Sequence, residues 1–306
     1  NEVKELLEAD IIERSNSEWS FPIILIPKSD GSKRVCVDFR QLNKVTIPEY
    51  WPVPHIQDIL DRLWCSGWFT TLDLASGYWQ VVIAPESRPK TAFTTTRGRF
   101  QFKRLPFGLK NAPTAFNRIM TKLLGNLSFV EIYFDDIIIH SKNLLDHFTH
   151  VKQVLQIIKN NNLKLKGTKC RWFSQRTKVL GHIVSKNHVE MDPQKIDPLK
   201  NRSPPTNVKE LQQFLGICNY YKKFVGHFSE ICAPLYRLLK VDTKFIWGEE
   251  ENNAFVKLKS ALTSYPVLRQ PNFNKQFILY TDASSYALGA ILGQKDESKK
   301  EFVCAY

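Results

Sequence analysis

"EIYFDDIIIH", residues 131–140, sets two adjacent aspartates between two apolar runs. Ile132 and Tyr133 before them, and Ile137, Ile138 and Ile139 after them, are strand-formers. The stretch therefore reads as a β-hairpin with its turn around Phe134-Asp135. Tight hairpin turns need positive φ and favour Asn-Gly or Asp-Gly, yet no glycine is present. Neighbouring carboxylates also raise each other's pKa unless a positive charge intervenes. Such a turn points either to a plain acidic tip in solvent or to a site that holds cations.

The rest of the chain is strongly basic. Its 306 residues carry a formal net charge of +13, which points to a polyanion, nucleic acid ahead of an anionic membrane. Residues 87–110 hold seven basic side chains (Arg88, Lys90, Arg97, Arg99, Lys103, Arg104, Lys110) and no acid. Residues 151–178 hold eight (Lys152, Lys159, Lys164, Lys166, Lys169, Arg171, Arg176, Lys178) and again no acid. Either run alone reads equally well as a solvated face. Flanking an acidic hairpin, the pair points to contact with a phosphate backbone.

A hydrophobic content of 43% suits a folded chain of two or more domains. Its apolar runs fall well short of the roughly 20 residues that span a bilayer, so no membrane role is expected. The six cysteines are scattered and form no C-x-x-C. That argues against a zinc site or a disulfide framework and for a reduced intracellular setting. The chain begins at Asn1 rather than Met, which reads as a segment of a longer product.

Patterning gives an α+β order without a regular βαβ repeat. Apolar spacing predicts a helix over Val3–Ile12, strands over Phe21–Lys28 and Arg34–Phe39 around an Asp-Gly turn, and a short helix over Ile56–Trp64. Trp68–Leu74 alternates as a strand, and β structure is expected to resume over Tyr78–Ile83. Asn111, followed by Pro113, reads as the cap of an amphipathic helix. A further helix is expected from Asp146 to Asn160. Arg202-Ser203-Pro204-Pro205 reads as a boundary, and Asn207 with Glu210 as a capping box. Helical character then runs to Ser264, and β character returns at Gln276–Asp282.

Magnesium prefers hard oxygen ligands, usually one or two carboxylates with waters and substrate phosphates. Two-metal phosphoryl transfer needs acids converging from separate elements. Asp135 and Asp136 are one source. Asp73, at the end of a β-rich run and before a turn, is the best third candidate, because an acid at a buried strand end is costly unless paired. An acidic surface turn and an unrelated Asp remain the alternative. His147 and His150 are spaced H-x-x-H, but no third ligand is apparent, and a surface or packing role is expected.

Taken jointly, the motifs resemble the reverse transcriptase region of gypsy-class LTR retrotransposon (Metaviridae) pol polyproteins. "YFDD" (133–136) resembles the Y-x-D-D box and "LDLASGYWQV" (72–81) the first palm motif. "IPKSDGSKRVCVDFRQLN" (26–43) resembles the fingers hairpin, and "RLPFGLKNAPTAF" (104–116) the stretch before the palm helix. "VLGHIVS" (179–185) resembles the primer-grip hairpin. "LQQFLGICNYYKKFV" (211–225), "PLYRLLK" (234–240) and "FILYTDAS" (277–284) resemble that class specifically.

The resemblance implies a right-hand polymerase with fingers and palm over 1–185 and a mostly helical thumb and connection over 186–264. An incomplete ribonuclease H-like start over 265–306 would follow. It implies RNA-directed DNA polymerase activity using two Mg2+ ions, with Mn2+ as a substitute, held by Asp73, Asp135 and Asp136. The Leu74 carbonyl would lie near one ion. Lys28 and Arg34 would grip the incoming dNTP, with Ala75, Ser76, Gly77 and Phe107 around it and Tyr78 as a steric gate against a ribose 2′-OH. Tyr133, Leu180, Gly181 and His182 would contact the primer terminus, and Lys164, Lys166 and Lys169 the template-primer backbone. The implied partners are an RNA template, a DNA primer and the RNA/DNA hybrid, inside intracellular particles. "YTDASSYALGAIL" (280–292) resembles the first strands of a ribonuclease H domain with Asp282 as one carboxylate. The chain is expected to lack the other carboxylates and that activity, and to expose Ile278, Leu288, Ile291 and Leu292. Two alternatives are a non-catalytic nucleic-acid-binding remnant and an RNA-dependent RNA polymerase; Tyr78 and the ribonuclease H-like start count against the latter.

Overall fold

A computed structural model describes residues 2–27, 33–264, 267–283 and 288–306. The chain starts with α1 (Glu2–Glu8), β1 (Ile12–Arg14), β2 (Ile23–Pro27), β3 (Lys33–Val37), α2 (Arg40–Val45) and α3 (Ile56–Arg62). Next come β4 (Trp68–Asp73), β5 (Phe93–Thr95), β6 (Gly98–Phe102), α4 (Ala112–Leu124), β7 (Val130–Tyr133), β8 (Asp136–Ser141), α5 (Leu144–Asn160) and β9 (Arg171–Ser174). It continues with β10 (Arg176–Val179), β11 (His182–Ser185), β12 (His188–Met191), α6 (Pro193–Lys200), α7 (Val208–Tyr220), α8 (Phe228–Arg237) and α9 (Glu249–Thr263). The last elements are β13 (Val267–Arg269), β14 (Ile278–Ala283), β15 (Leu288–Lys295) and β16 (Glu301–Ala305). The elements divide into two compact units, Asn1–Pro54 with Thr70–Phe173, and His55–Phe69 with Ser174–Tyr306.

The first unit holds two cores. One is built on the sheet β7-β8-β4-β9. Phe116, Met120 and Leu124 from α4 and Val151, Val154 and Ile158 from α5 bury against Leu72, Leu74, Ile132, Ile137 and Ile139. β8 lies between β7 and β4, and everything in it after Asp136 is buried. This explains why its isoleucines run continuously instead of alternating. The other core gathers Leu6, Ile12, Phe21, Phe39, Phe93, Phe100 and Phe102 around the sheet β1-β6-β5. β2 and β3 pair alone as an antiparallel ribbon, with Leu25 54% exposed.

The second unit contains the sheet β10-β11-β12-β13, the helices α6 to α9 and the three-stranded meander β14-β15-β16. Phe214 of α7 packs against Phe255 of α9 with centroids 4.7 Å apart. Residues 202–205 link α6 to α7. Leu288 is 84% exposed as expected, whereas Ile278, Ile291 and Leu292 are half-buried.

Local expectations change at four places. Tyr78–Ile83 is not a strand: Gly77–Gln80 forms a 3-10 turn, and only Val82 makes a bridge, to Arg104. Ser76 at φ +50 reverses the chain there, and the Gln80 amide donates to the carbonyls of Ala75 (2.7 Å) and Lys164 (2.9 Å). Asn111 precedes α4 without a side-chain cap bond. Its amide bridges a distant loop instead, accepting from Glu49 N–H and donating to Ile47 C=O. Asn207 does cap α7, but Glu210 reaches back to Thr206 rather than to Asn207. The helix expected over Val3–Ile12 stops at Glu8, because Asp10 takes φ +55 and Ile12 enters β1.

Candidate active site

The acidic hairpin closes as a two-residue turn. Tyr133 and Asp136 face each other across β7 and β8, leaving Phe134 and Asp135 at the tip. Phe134 supplies the positive φ, +51, that a glycine would normally provide. The left-handed region costs a residue with a Cβ roughly 1–2 kcal/mol, so the tip is strained. The Phe134 ring packs edge-on against Tyr133 at 4.9 Å.

Because β8 neighbours β4, Asp136 at the start of one strand and Asp73 at the end of the other belong to one acidic cluster. Partial desolvation raises the Asp135 pKa first, and repulsion from Asp136 and Asp73 adds to it. Desolvation, then Asp73, raises that of Asp136. Lys169 opposes both shifts, with its Nζ 3.2 Å from Asp73 Oδ2. The chain puts it there by lashing residues 164–170 to the end of β4. Lys166 N–H donates to Asp73 C=O (2.8 Å), Ala75 N–H donates to Lys164 C=O (2.9 Å), and Leu74 bridges Leu165.

Among the described residues, no three His, Cys, Asp or Glu side chains are drawn together tightly enough to hold an ion as they stand. The donor chemistry nevertheless fits a hard divalent cation: three carboxylates at one end of the sheet, two with raised pKa, with Lys169 opposing those shifts.

Beside the acids stands an aromatic wall. The Tyr78 ring lies 5.0 Å from Phe107 and 5.4 Å from Phe116. Desolvation, then the charge of Asp135, raises the Tyr78 hydroxyl pKa, which ties this ring to the acidic tip. Gly77 makes the approach possible, since a Cβ there would stand 3.1 Å from the Phe116 ring. Phe107 is 40% exposed and free to meet a ligand. Lys28 lies outside the described residues. Arg34 is described as the β3 position opposite Ile26.

His147 and His150 do packing work. The His147 ring nitrogens sit 2.8 Å from the hydroxyls of Thr70 and Ser141, and His150 stacks on Phe129 at 3.7 Å. Five of the seven basic side chains of the first run have partners within the fold, though Lys90, Arg97, Arg99 and Lys110 are exposed. Arg88 and Lys103 pair with Glu13 and Asp10, while Arg99, Arg104 and Lys110 donate to backbone carbonyls. In the second run, Arg176 and Lys178 pair with Glu190 and Asp192, but Lys152, Lys159, Lys164, Lys166 and Arg171 are exposed.

In the second unit, Val179 and His182 face each other across a second two-residue turn, Leu180-Gly181, with φ +46 and +76. His182 is buried among the rings of Tyr220, Tyr221 and Phe224 at 5.5–5.9 Å. Sequence reading missed these rings; their only signal was the "NYY" closing the α7 pattern. Asp282 sits exposed on β14 opposite Gly289, its Oδ1 accepting from Ala283 N–H.

The reverse transcriptase (RNA-dependent DNA polymerase) family model matches residues 26–184, and that of the RNase H-like domain found in reverse transcriptase matches residues 247–306. The chain is 39% identical over 302 residues to the retrovirus-related Pol polyprotein from transposon 297 of Drosophila melanogaster, covering 96% of this chain and 28% of that protein. It is 37% identical over 308 residues to the transposon Tf2-3 polyprotein of Schizosaccharomyces pombe, covering 100% of this chain and 23% of that protein. Among solved structures, a foamy viral protease-reverse transcriptase in complex with ds DNA superposes with a TM-score of 0.89 at 26% identity, covering 99% of this chain and 54% of that one. The chain belongs to the reverse transcriptase family. It spans about a quarter to a third of the length of the curated relatives it matches.

Proposed function

We propose that this chain is the polymerase portion of a retrotransposon Pol polyprotein and extends a DNA primer on an RNA or DNA template. The carrying observation is the cluster of Asp73, Asp135 and Asp136 at one end of the sheet beside the Tyr78–Phe107 wall. Fingers and palm would run over 1–185, thumb and connection over 186–264, and the ribonuclease H-like start over 265–306.

Asp73, Asp135 and Asp136 would hold Mg2+ or Mn2+, which when bound would supply Lewis acidity toward a primer 3′-OH and the departing pyrophosphate. The protein's own groups position the reactants. Lys28 and Arg34 are assigned to the triphosphate by the family resemblance. Phe107 offers a face to the sugar, and Tyr78, held by Phe107 and Phe116, blocks a 2′-OH. Leu180, Gly181 and His182 hold the primer end. The exposed Lys164 and Lys166 meet the phosphate backbone. Complexes of the foamy viral relative with dsDNA and with RNA/DNA hybrid support these partners. Asp282 lies exposed on β14 of the ribonuclease H-like start, and ribonuclease H cleavage is proposed for the longer polyprotein. The setting of those relatives supports an intracellular particle, cytoplasmic or nuclear.

Primer extension with Mg2+ on an RNA template tests the proposal. The wild type should extend with dNTPs and poorly with rNTPs. Asp135→Asn should lose roughly a thousand-fold in rate, the several kcal/mol expected when a metal-holding charge is removed. Failure of the wild type to extend overturns the reading, and extension by Asp135→Asn at the wild-type rate overturns the site.

A further inference from the structure

We infer that Tyr220 and Tyr221, at the end of α7, are positioning residues that set the shape of the Leu180-Gly181 turn for a nucleic-acid phosphate. This rests on the polymerase reading of the turn as the primer-holding hairpin.

The turn needs two positive φ angles, and only Gly181 adopts its angle freely; Leu180 at φ +46 is strained by its Cβ. The second unit holds this conformation through the turn's carbonyl edge. Leu180 C=O accepts from the Tyr220 hydroxyl and faces His182 Nδ1 at 3.1 Å. Gly181 C=O accepts from the Tyr221 hydroxyl at 2.7 Å and from Asp192 N–H at 3.1 Å. Two backbone carbonyls thus have four partners, two of them phenols contributed by consecutive residues of another element. The packing is as close as it can be: a Cβ on Gly181 would stand 3.2 Å from Tyr221 Oη and 3.4 Å from the Tyr220 ring.

The opposite edge is left for a ligand. Among the described residues, no partner is found for the N–H groups of Leu180 and Gly181, and both residues are only half-buried. Successive N–H groups exposed in a turn conformation can form an anion-binding concavity. Fixing the carbonyl edge aims that concavity. A buried stacking role alone would not require hydroxyls, since Phe224 packs on His182 without one. Tyr220 also keeps 42% of its surface exposed, so its hydroxyl is not there to fill a core.

The test compares Tyr220→Phe, Tyr221→Phe and the double variant with the wild type, using a labelled DNA primer on an RNA template. Each Phe variant keeps the ring. The expected result is a rise of about five-fold in the KM and anisotropy Kd for the template-primer per hydroxyl removed, the effect of one neutral hydrogen bond. The dNTP KM and the melting temperature should stay at wild-type values. Template-primer binding within two-fold of wild type overturns the proposal, and so does a loss that tracks a fall in melting temperature or a matching rise in dNTP KM. Because anisotropy reads binding without chemistry, the two failures separate. A wild type that binds duplex and does not extend it overturns the polymerase reading. Phe variants that bind like a wild type that does extend overturn only the role of the tyrosines.

Discussion

The molecule builds two hairpins with two-residue turns, and they solve the same backbone problem in opposite ways. Phe134-Asp135 has one positive φ, carried by a phenylalanine, with no glycine and, among the described residues, no side-chain clamp on the turn carbonyls. Leu180-Gly181 has two, one on glycine, and both its carbonyls are tied down by tyrosines. The first presents side chains, two carboxylates that repel each other and are anchored by the buried isoleucines behind them. The second presents backbone. A turn that works through side chains tolerates local strain so long as the strands beneath are rigid. A turn that works through its own peptide groups must have those groups oriented from outside.

The sharpest contrast is with acid. His182 is held well below its usual 6.5, at about 4, by burial first and by Lys223 second. Between those values the unfolded chain takes up a proton that the folded chain refuses. Stability contributed by the second hairpin therefore falls as pH drops from about 6.5 to about 4, by on the order of 3 kcal/mol. The acidic hairpin responds with the opposite sign: its raised carboxylates gain protons early, which relieves repulsion in the folded state. Urea melts at about pH 7 and about pH 4.5 should show the loss in the wild type and a flatter profile in His182→Phe. Equal profiles would break the distinction.

Glycine exchange is the next lever. Gly181→Ala should destabilise by roughly 1–2 kcal/mol, through its left-handed φ and the Tyr221 hydroxyl in its path. Phe134→Gly relieves strain but frees the unfolded chain, so its net change should stay within about 1 kcal/mol while primer extension falls. Denaturation midpoints paired with extension rates check both.

The smallest effect concerns the basic runs. Replacing Lys164 and Lys166 by Ala should flatten the salt dependence of duplex binding by about 0.7–0.9 for each phosphate that a lysine neutralises. Replacing Lys103 and Lys110, which are engaged by Asp10 and by backbone carbonyls, should leave that slope unchanged.

Much of this was legible because it is local. The Phe134-Asp135 turn, the strand ending at Asp73 and the amphipathic α4 follow from alternation, apolar spacing and helix periodicity, which neighbouring residues fix among themselves. The failures are cases of distant partners overriding local preference. Tyr78–Ile83 has strand-forming residues but is pulled into a 3-10 turn by Gln80 reaching Lys164, 84 positions away. Asn111 has the composition of a cap but turns its amide to residues 47 and 49. Charge runs count basic side chains without saying where each one goes: in the run over 87–110, Arg88, Arg99, Lys103, Arg104 and Lys110 have partners within the fold, while Lys90, Arg97, Arg99 and Lys110 stay exposed.

The sequence by itself determined the acids, the hairpins and the family, because residue type and short-range spacing carry them. Tertiary structure alone decided that β4 lies beside β8, which brings Asp73 into one acidic cluster with Asp136, and that the exposed Lys169 pairs with Asp73. It also decided that two tyrosines about 40 positions away hold the Leu180-Gly181 turn. Those placements depend on which strands pair and which helix ends against which loop, and no local periodicity encodes a contact between segments that far apart in the chain.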